Sequence, residues 1–216
     1  MGNPTVTPLL EQWHDGGFIV SEANGHISRD TVTLTGGVKV LPGTVLGQQT
    51  TGNSAAAAAL GTNSGNGTFG AIVVAAPAQA GAYVAQFVDA THFVLEDPQG
   101  VEVGHGTTGA AFNAGGLAFT ITAGNNAFAA GDSFTVTVAA GSKKYAPLSL
   151  TAGDGTGVPV AILYAFKDVT AADKSALVIA RHAELNASEL IWPAGATANQ
   201  VVALTGLLRE KGLLAR

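Results

Sequence analysis

Two glycine-rich segments of the chain have the spacing of a dinucleotide-binding loop. Gly65 to Gly70 and Gly104 to Gly109 both match the pattern G-x-G-x-x-G. Such a loop binds pyrophosphate where a strand precedes it and a helix follows, because the helix N-terminus faces the phosphates. No helical pattern follows either segment, and 29 glycines in 216 residues make chance matches common. We interpret both segments as turns between strands and predict no cofactor.

The titratable residues form no motif for catalysis or metal binding. The five histidines have no helical ligand spacing, although His92 and His105 could meet across two strands. Asp168 and Asp173 share one connection, where carboxylates could do acid–base work or bind calcium with further oxygen ligands. No EF-hand spacing surrounds them, so a turn or a cap of a short helical turn is the simpler interpretation. Cysteine is absent, which excludes disulfides and thiolate chemistry. The sequence predicts neither an enzyme nor a metal site.

Composition excludes further classes of protein. Charged residues make up only 12% of the chain, and the net charge is −5, so we expect no binding to nucleic acid. No apolar run approaches the roughly 20 residues of a membrane-spanning helix, so we expect no membrane contact. The first residues include Pro4 and polar side chains instead of a charged and then apolar segment, so we expect no cleaved secretion signal.

The charge is unevenly distributed along the chain. No lysine or arginine lies between Lys39 and Lys143, whereas five acidic residues do, so this stretch accounts for the whole net charge. Such a change in composition indicates a domain boundary.

The middle of the chain has the pattern of a β domain. Apolar side chains alternate with small or polar ones in several short runs separated by turn residues, among them 83–88, 117–121 and 134–138. This pattern favours a small antiparallel sandwich or barrel. Residues 50–68 show no alternation, and we expect a linker or an exposed loop there, with at most a marginal helical turn at the alanine run.

The two ends of the chain differ from the middle. Residues 1–15 contain Pro4 and Pro8 without a consistent period, which predicts an extended arm. Near the C-terminus, apolar residues recur at helical spacing over 199–211, with Thr197 or Asn199 as the N-cap and Gly212 after the helix. Trp192 ends an apolar pair before Pro193, which is consistent with a core tryptophan or with an anchor in an interface between subunits.

The ends of the chain resemble the head decoration proteins of tailed bacteriophages, the lambda D-like family. The resemblance is carried by the order and spacing of several segments: GFIVSE at 17–22, ISRDTVTL at 27–34, LPGTVLG at 41–47, APL at 146–148, VAIL at 160–163 and LIWP at 190–193. It covers roughly the first 50 and the last 74 residues.

The middle of the chain departs from the compact family pattern. Without residues 51–142, the sequence TVLGQQ at 44–49 runs directly into KKYAPL at 143–148, and the joined sequence looks like an uninterrupted member. We therefore expect an inserted β domain at 51–142, with its two ends close together. A discontinuous decoration domain then comprises 31–50 and 143–216, and an N-terminal arm comprises 1–30. One larger β domain without a separable insert is the alternative. The expected fold class is mainly β with minor α.

The resemblance implies a structural role. Family members form trimers on the outside of the capsid, bind the major capsid protein after head expansion and stabilise the expanded head. The chain is then made in the host bacterial cytoplasm and becomes part of the virion. The arm usually contacts the shell, so we expect a capsid-binding role for its apolar residues: Leu9, Leu10, Trp13, Phe18, Ile19 and Val20. Ile191, Trp192 and Pro193 are expected to anchor the trimer or the core.

A second function is open for the inserted domain, which could bind a carbohydrate or another surface. That function requires aromatic side chains in a solvent-facing groove instead of the core. The candidates are Tyr83, Phe87, Phe93 and Phe112.

Overall fold

The computed structural model describes residues 13–216, and this part of the chain is mainly β with one α-helix near the C-terminus. The predicted fold class, mainly β with minor α, is confirmed. The first strands are β1 (Ile19–Glu22), β2 (Arg29–Leu34), β3 (Lys39–Val40) and β4 (Val45–Gln48). The middle strands are β5 (Thr51–Ala59), β6 (Thr68–Phe69), β7 (Val73–Val74), β8 (Gly81–Phe87), β9 (His92–Glu96), β10 (Glu102–Thr107), β11 (Ala111–Ala114), β12 (Leu117–Thr122) and β13 (Ser133–Ala140).

The last part of the chain contains short strands, a 3₁₀ turn and the α-helix. Its elements are β14 (Tyr145–Pro147), β15 (Pro159–Leu163), β16 (Lys167–Asp168), β17 (Lys174–Ile179), β18 (Ala183–Leu185), a 3₁₀ turn (Ala187–Glu189), α1 (Ala198–Glu210) and β19 (Leu213–Ala215). The helical turn expected between Asp168 and Asp173 is absent from this part of the structure. Instead, the Asp168 carboxylate accepts hydrogen bonds from the backbone N–H and the hydroxyl of Thr170 and closes a turn.

Strands from both ends of the chain close a five-stranded barrel in the order β14-β2-β17-β15-β4. Its apolar core includes Leu34, Leu46 and Val178, all fully buried. Gly47 is needed where β4 passes the Thr156 backbone, because a Cβ at this position would lie 2.2 Å from the Thr156 carbonyl oxygen. The barrel therefore depends on residues far apart in the sequence.

A three-stranded sheet in the order β1-β18-β19 packs beside the barrel together with α1. The predicted helix begins one residue earlier than expected, and Thr197 is its N-cap: the Thr197 hydroxyl accepts from Gln200 N–H, and the Gln200 side chain accepts from Thr197 N–H. Gly212 follows the helix with φ of 76°. Leu204 and Leu208 of α1 are buried against this sheet.

The middle strands form a β-sandwich with its own core. One sheet has the order β10-β9-β8-β13-β5, and the other has the order β11-β12-β6, with β7 also paired to β12. Side chains of both sheets meet in one cluster rich in phenylalanine, in which the Phe87 and Phe128 rings stack with centroids 3.9 Å apart. All fully buried members of this cluster come from the middle of the sequence.

The linker expected at residues 50–68 is wrong, because β5 occupies its first half. This nine-residue strand pairs antiparallel with β13, and Ala55 and Ala57 face the sandwich core. Alternation between inside and outside is present in the structure but invisible in the sequence, since alanine stands on both faces. Pairing with β13 supplies the stabilisation that the local sequence lacks.

The two ends of the middle segment lie side by side. Gln49 N–H donates to the Lys144 carbonyl, and Lys143 N–H donates to the Gln49 carbonyl, both at 2.9 Å. The loop at Asp154 also contacts this junction, because its carbonyl accepts from the N–H groups of Thr50 and Thr51. The expected proximity of Gln49 and Lys143 is therefore observed.

Candidate capsid-facing surface

The N-terminal segment is joined to the folded body from Asp15 onward. The Asp15 carboxylate accepts from Phe166 N–H at 3.2 Å, and Gly16 N–H donates to the Tyr164 carbonyl at 2.8 Å. Phe18 is only 2% exposed and packs in the core cluster around β18 and α1. The structure thus differs from the expected arm of residues 1–30: Phe18 and the strands after it belong to the body, because the 18–22 segment completes a sheet. Leu9 and Leu10 lie outside the described residues.

An ion pair fixes the turn between β1 and β2. The Glu22 carboxylate accepts hydrogen bonds from the Arg29 guanidinium and the Ser28 hydroxyl, with 3.0 Å from Arg29 Nε to Glu22 Oε2. The Arg29 guanidinium also lies over the Tyr164 ring, 4.6 Å from its centroid. The hydrogen bonds from Arg29, and then from Ser28, lower the pKa of Glu22 from 4.5 to about 2. This pair holds the N-terminal strand against the barrel.

Three large apolar side chains in or next to the segments around the Asp15–Phe166 hydrogen bond are exposed. Trp13 is 46% exposed and lies two residues before Asp15. Phe166 is 47% exposed, and the pairing of Val40 with Lys167 makes Phe166 and Leu41 the next cross-strand neighbours. We call Trp13, Leu41 and Phe166 the N-terminal apolar surface. Large exposed apolar groups that lie together are typical of interaction sites.

A cleft of about 240 Å³ continues from this surface. Its lining includes Val38 and Leu41 and, from the segment before α1, Ile191, Trp192 and Pro193. These last three residues are half-buried, and Trp192 also packs on the core around α1. The turn at 41–44 contacts both the Phe18 segment, predicted to bind the capsid, and the Ile191–Pro193 segment, predicted to anchor the trimer or the core. Ile191 N–H donates to the Gly43 carbonyl, and Phe18 lies against Gly43. The structure therefore brings Phe18 and the Ile191–Pro193 segment to the same turn.

Ile19 and Val20 take different positions on β1. Ile19 is half-buried against the core, whereas Val20 is 62% exposed at a bulge in the pairing with β18. β1 is an edge strand of its sheet, so its outer side has no strand partner among the described residues.

Leu41 and Phe166 are contact candidates that the sequence pattern does not identify. Both flank two-residue strands, in which alternation is too short to separate an inward from an outward side chain. The only local signal is the Pro42-Gly43 turn directly after Leu41, which places that leucine at the end of an element.

The aromatic groove required for carbohydrate binding does not form from the expected side chains. Tyr83, Phe87 and Phe93 are each 1% exposed, and Phe112 is 5% exposed. All four lie between the two sheets of the sandwich, since they occupy the inward positions of their strands. That expectation is therefore wrong for these four residues.

Glycines of the two glycine-rich segments leave room for aromatic rings of the sandwich core. Gly67 lies in a loop against Phe128, where a Cβ would come within 2.5 Å of the ring. Gly104 and Gly106 are in strand β10, not in a turn as expected, and a Cβ at Gly106 would lie 2.1 Å from the Phe93 ring. The ring of Phe93 thus fills the space beside β10 that a side chain would need.

The histidines of the middle segment pair with local carboxylates. His92 Nδ1 lies 2.7 Å from Asp89 Oδ2, and His105 Nε2 lies 2.9 Å from Glu102 Oε1, all exposed. Hydrogen bonds from the backbone N–H groups of Thr91 and His92 lower the pKa of Asp89. Within residues 13–216, no three histidine, aspartate or glutamate side chains are grouped as a metal site would require. None of the helices in the same range has the length and apolarity for crossing a membrane.

Comparison with solved structures finds a weak likeness to flagellar proteins. FlgL from Xanthomonas campestris is 29% identical in one crystal form, with a TM-score of 0.34 over 45% of this chain and 33% of that chain. The flagellar hook junction protein FlgK from Burkholderia pseudomallei is 22% identical, with a TM-score of 0.34 over 56% of this chain and 21% of that chain. The chain thus spans a third or less of these proteins. A search of curated protein sequences finds no significant match.

Comparison with protein families gives a match over most of the chain. The model of bacteriophage lambda head decoration protein D matches residues 8–95 and 108–213. The first matched segment includes β2 and β4 of the barrel, and the second includes β14, β15 and β17. Together the two segments also cover the middle of the chain apart from residues 96–107. The chain belongs to the bacteriophage lambda head decoration protein D family, a family of structural proteins of the phage head.

Proposed function

We propose that this protein binds the outer surface of a phage capsid as a homotrimer and stabilises the expanded head. The family match carries this proposal, since it assigns the chain a structural role on the head. The partners are then the major capsid protein and two further copies of the chain. The host cytoplasm is the site of synthesis, and the finished virion is the final location.

We infer that the capsid contact is made by residues 1–12 together with the N-terminal apolar surface. Trp13 and Phe166 are nearly half-exposed, and Trp13 directly follows in the sequence the segment that contains Leu9 and Leu10. Burial of a large apolar side chain contributes roughly 1.5–3 kcal/mol, which is offset in part by the ordering of the chain. Val20 and the open side of β1 could add backbone hydrogen bonds to a capsid strand.

We further propose the domain division at 51–142, with the decoration domain made of the flanking segments. The sandwich has a core of its own, and the hydrogen bonds between Gln49 and the Lys143–Lys144 pair support an insertion between β4 and β14. Ile191, Trp192 and Pro193 line an open cleft of the decoration domain, which supports a role in contact between subunits.

The test is co-sedimentation of the purified chain with expanded empty heads, comparing the full chain with a variant that lacks residues 1–12. The deletion leaves Phe18, the Asp15 contacts and β1 in place, so we expect a folded protein with strongly reduced head binding. A Val202→Ala variant is the control, because Val202 is 72% exposed on α1. Equal binding of the truncated and full chains would contradict the proposed contact.

A further inference from the structure

The sandwich ends in an open strand edge. β5 is the last strand of its sheet and pairs only with β13 among the described residues. Leu60 N–H donates to the Ser133 carbonyl, and this bond shows which residues of β5 are hydrogen-bonded to β13. Because these residues alternate along an antiparallel strand, the backbone N–H and C=O groups of Ala56 and Ala58 face β13, whereas those of Ala55, Ala57 and Ala59 face away from the sheet.

Natural sheets protect their edges with lysine, proline, a bulge or a covering loop. The first part of β5 has such protection: the Asp154 loop covers Thr51, the ladder with β13 is irregular between Thr51 and Ala55, and β7 lies close by without pairing with β5. From Ala55 onward the ladder is regular. No charged residue, histidine or proline stands between Asn53 and Leu60, and no charged residue occurs anywhere from Val40 to Val88. The edge at Ala55–Ala59 is thus uncharged, regular and able to accept a short strand.

The distribution of charge favours a second copy of the same chain as the partner. The middle segment contains five acidic residues and no basic one, so two copies repel each other wherever these acids meet. Asp132 is buried. The other four acids lie in or beside β9 and β10, at the opposite edge of the sheet from β5: Asp89, Glu96, Asp97 and Glu102. A contact between the β5 strands of two copies therefore keeps these four acidic residues of one copy away from those of the other.

We propose that β5 pairs antiparallel with β5 of a second copy, about a two-fold axis at Ala57. Ala57 of each copy then exchanges both backbone hydrogen bonds with Ala57 of the other, and the two five-stranded sheets become one continuous sheet. The contact is self-complementary and closes after two copies. The alanine side chains offer no steric barrier on either face. The pairing does not depend on head binding; on a head, as proposed above, it would connect neighbouring decoration units.

Disulfide trapping tests this pairing directly, since the natural chain has no cysteine. In the proposed register residue 56 of one copy faces residue 58 of the other in a non-hydrogen-bonded pair, about 4.5 Å apart between Cα atoms. This separation lies within the range that a disulfide spans. The full chain with Ala56→Cys and Ala58→Cys should therefore form a covalent dimer on mild oxidation, visible on a non-reducing gel even if the pairing is weak.

The matched control places the cysteines one strand further from the edge. Thr135 and Thr137 are the cross-strand partners of Ala58 and Ala56 and are exposed on the same face of the sheet. A chain with Thr135→Cys and Thr137→Cys should remain monomeric on that gel. Equal dimer yield from the two variants, or no dimer from the edge variant, would overturn the proposal.

Lysine substitutions at the same positions give a second measurement without covalent bonds. Ala56→Lys with Ala58→Lys should abolish β5-mediated association in sedimentation velocity of the concentrated protein, because the pairing brings like charges into contact. Thr135→Lys with Thr137→Lys should retain that association, and a melting curve confirms that both variants fold. If the edge variant sediments like the natural chain but no longer binds heads, the edge contacts capsid protein and the proposal is wrong.

Discussion

At the scale of single residues, Phe18 connects the N-terminal segment to the body. Its ring is buried among residues of β18, α1 and the turn at Gly43. We expect Phe18→Ala to lower the free energy of unfolding by about 3–5 kcal/mol, the usual cost of removing a buried phenylalanine. Urea unfolding followed by tryptophan fluorescence measures this, since both tryptophans, Trp13 and Trp192, lie outside the middle segment.

Val20→Ala provides the control on the same strand. Val20 is 62% exposed, and surface substitutions usually change stability by less than about 0.5 kcal/mol. Similar unfolding curves for Phe18→Ala and Val20→Ala would show that the segment is not part of the core.

Glu22 makes the stability of the chain dependent on pH. Its pKa is lowered from 4.5 to about 2 in the folded protein, so the ionised form stabilises the fold. This contribution is present in full above pH 4.5 and is lost as the pH falls towards about 2. Melting temperatures of the natural chain and of Glu22→Gln should differ most at neutral pH and converge in acid. A difference that grows in acid would contradict this account.

At the scale of elements, α1 depends on its cap. Thr197 and Gln200 bond reciprocally at the helix N-terminus. We expect Thr197→Ala to cost about 1 kcal/mol, a typical value for the loss of an N-cap side chain. Thr205→Ala removes the same atoms from the helix interior, where the Thr205 hydroxyl donates to the Val201 carbonyl. Chemical denaturation should show a clear loss for the first variant and little change for the second.

The elements also show where the sequence predicts structure and where it does not. α1 could be predicted because its signals are local: an N-cap, a period of about 3.6 residues and a following glycine. β5 could not, since an alanine run has no periodicity and its strand conformation comes from β13. The sequence assigns Phe18 to an arm because that segment has two prolines, two adjacent glycines and no apolar period. Its burial instead depends on contacts with β18, α1 and the turn at Gly43, which are distant in the sequence. The cleft beside Trp192 likewise depends on the turn at 41–44, which the sequence does not place near it.

At the scale of the whole molecule, the middle segment should be removable. β4 and β14 pair with Gln48 opposite Tyr145, and Gln49 is bonded to Lys144. Replacing residues 50–143 with Asn-Gly would connect these strands by a two-residue hairpin turn. We expect the shortened chain to fold, with the loss of the Thr50 and Thr51 contacts to Asp154 as the main cost.

Circular dichroism and tryptophan fluorescence during heating measure that result. A cooperative transition with native-like tryptophan emission would support a self-contained decoration domain. A shortened chain without a cooperative transition would contradict the division and favour a single larger β domain.

Differential scanning calorimetry of expanded empty heads, with and without saturating protein, measures whether the chain stabilises an expanded phage head from the outside. We expect the melting temperature of the heads to rise with bound protein, because a ligand that binds only the assembled state stabilises that state. With the variant lacking residues 1–12 we expect little or no rise. An unchanged melting temperature of the heads at saturating full-length protein would contradict the proposed function.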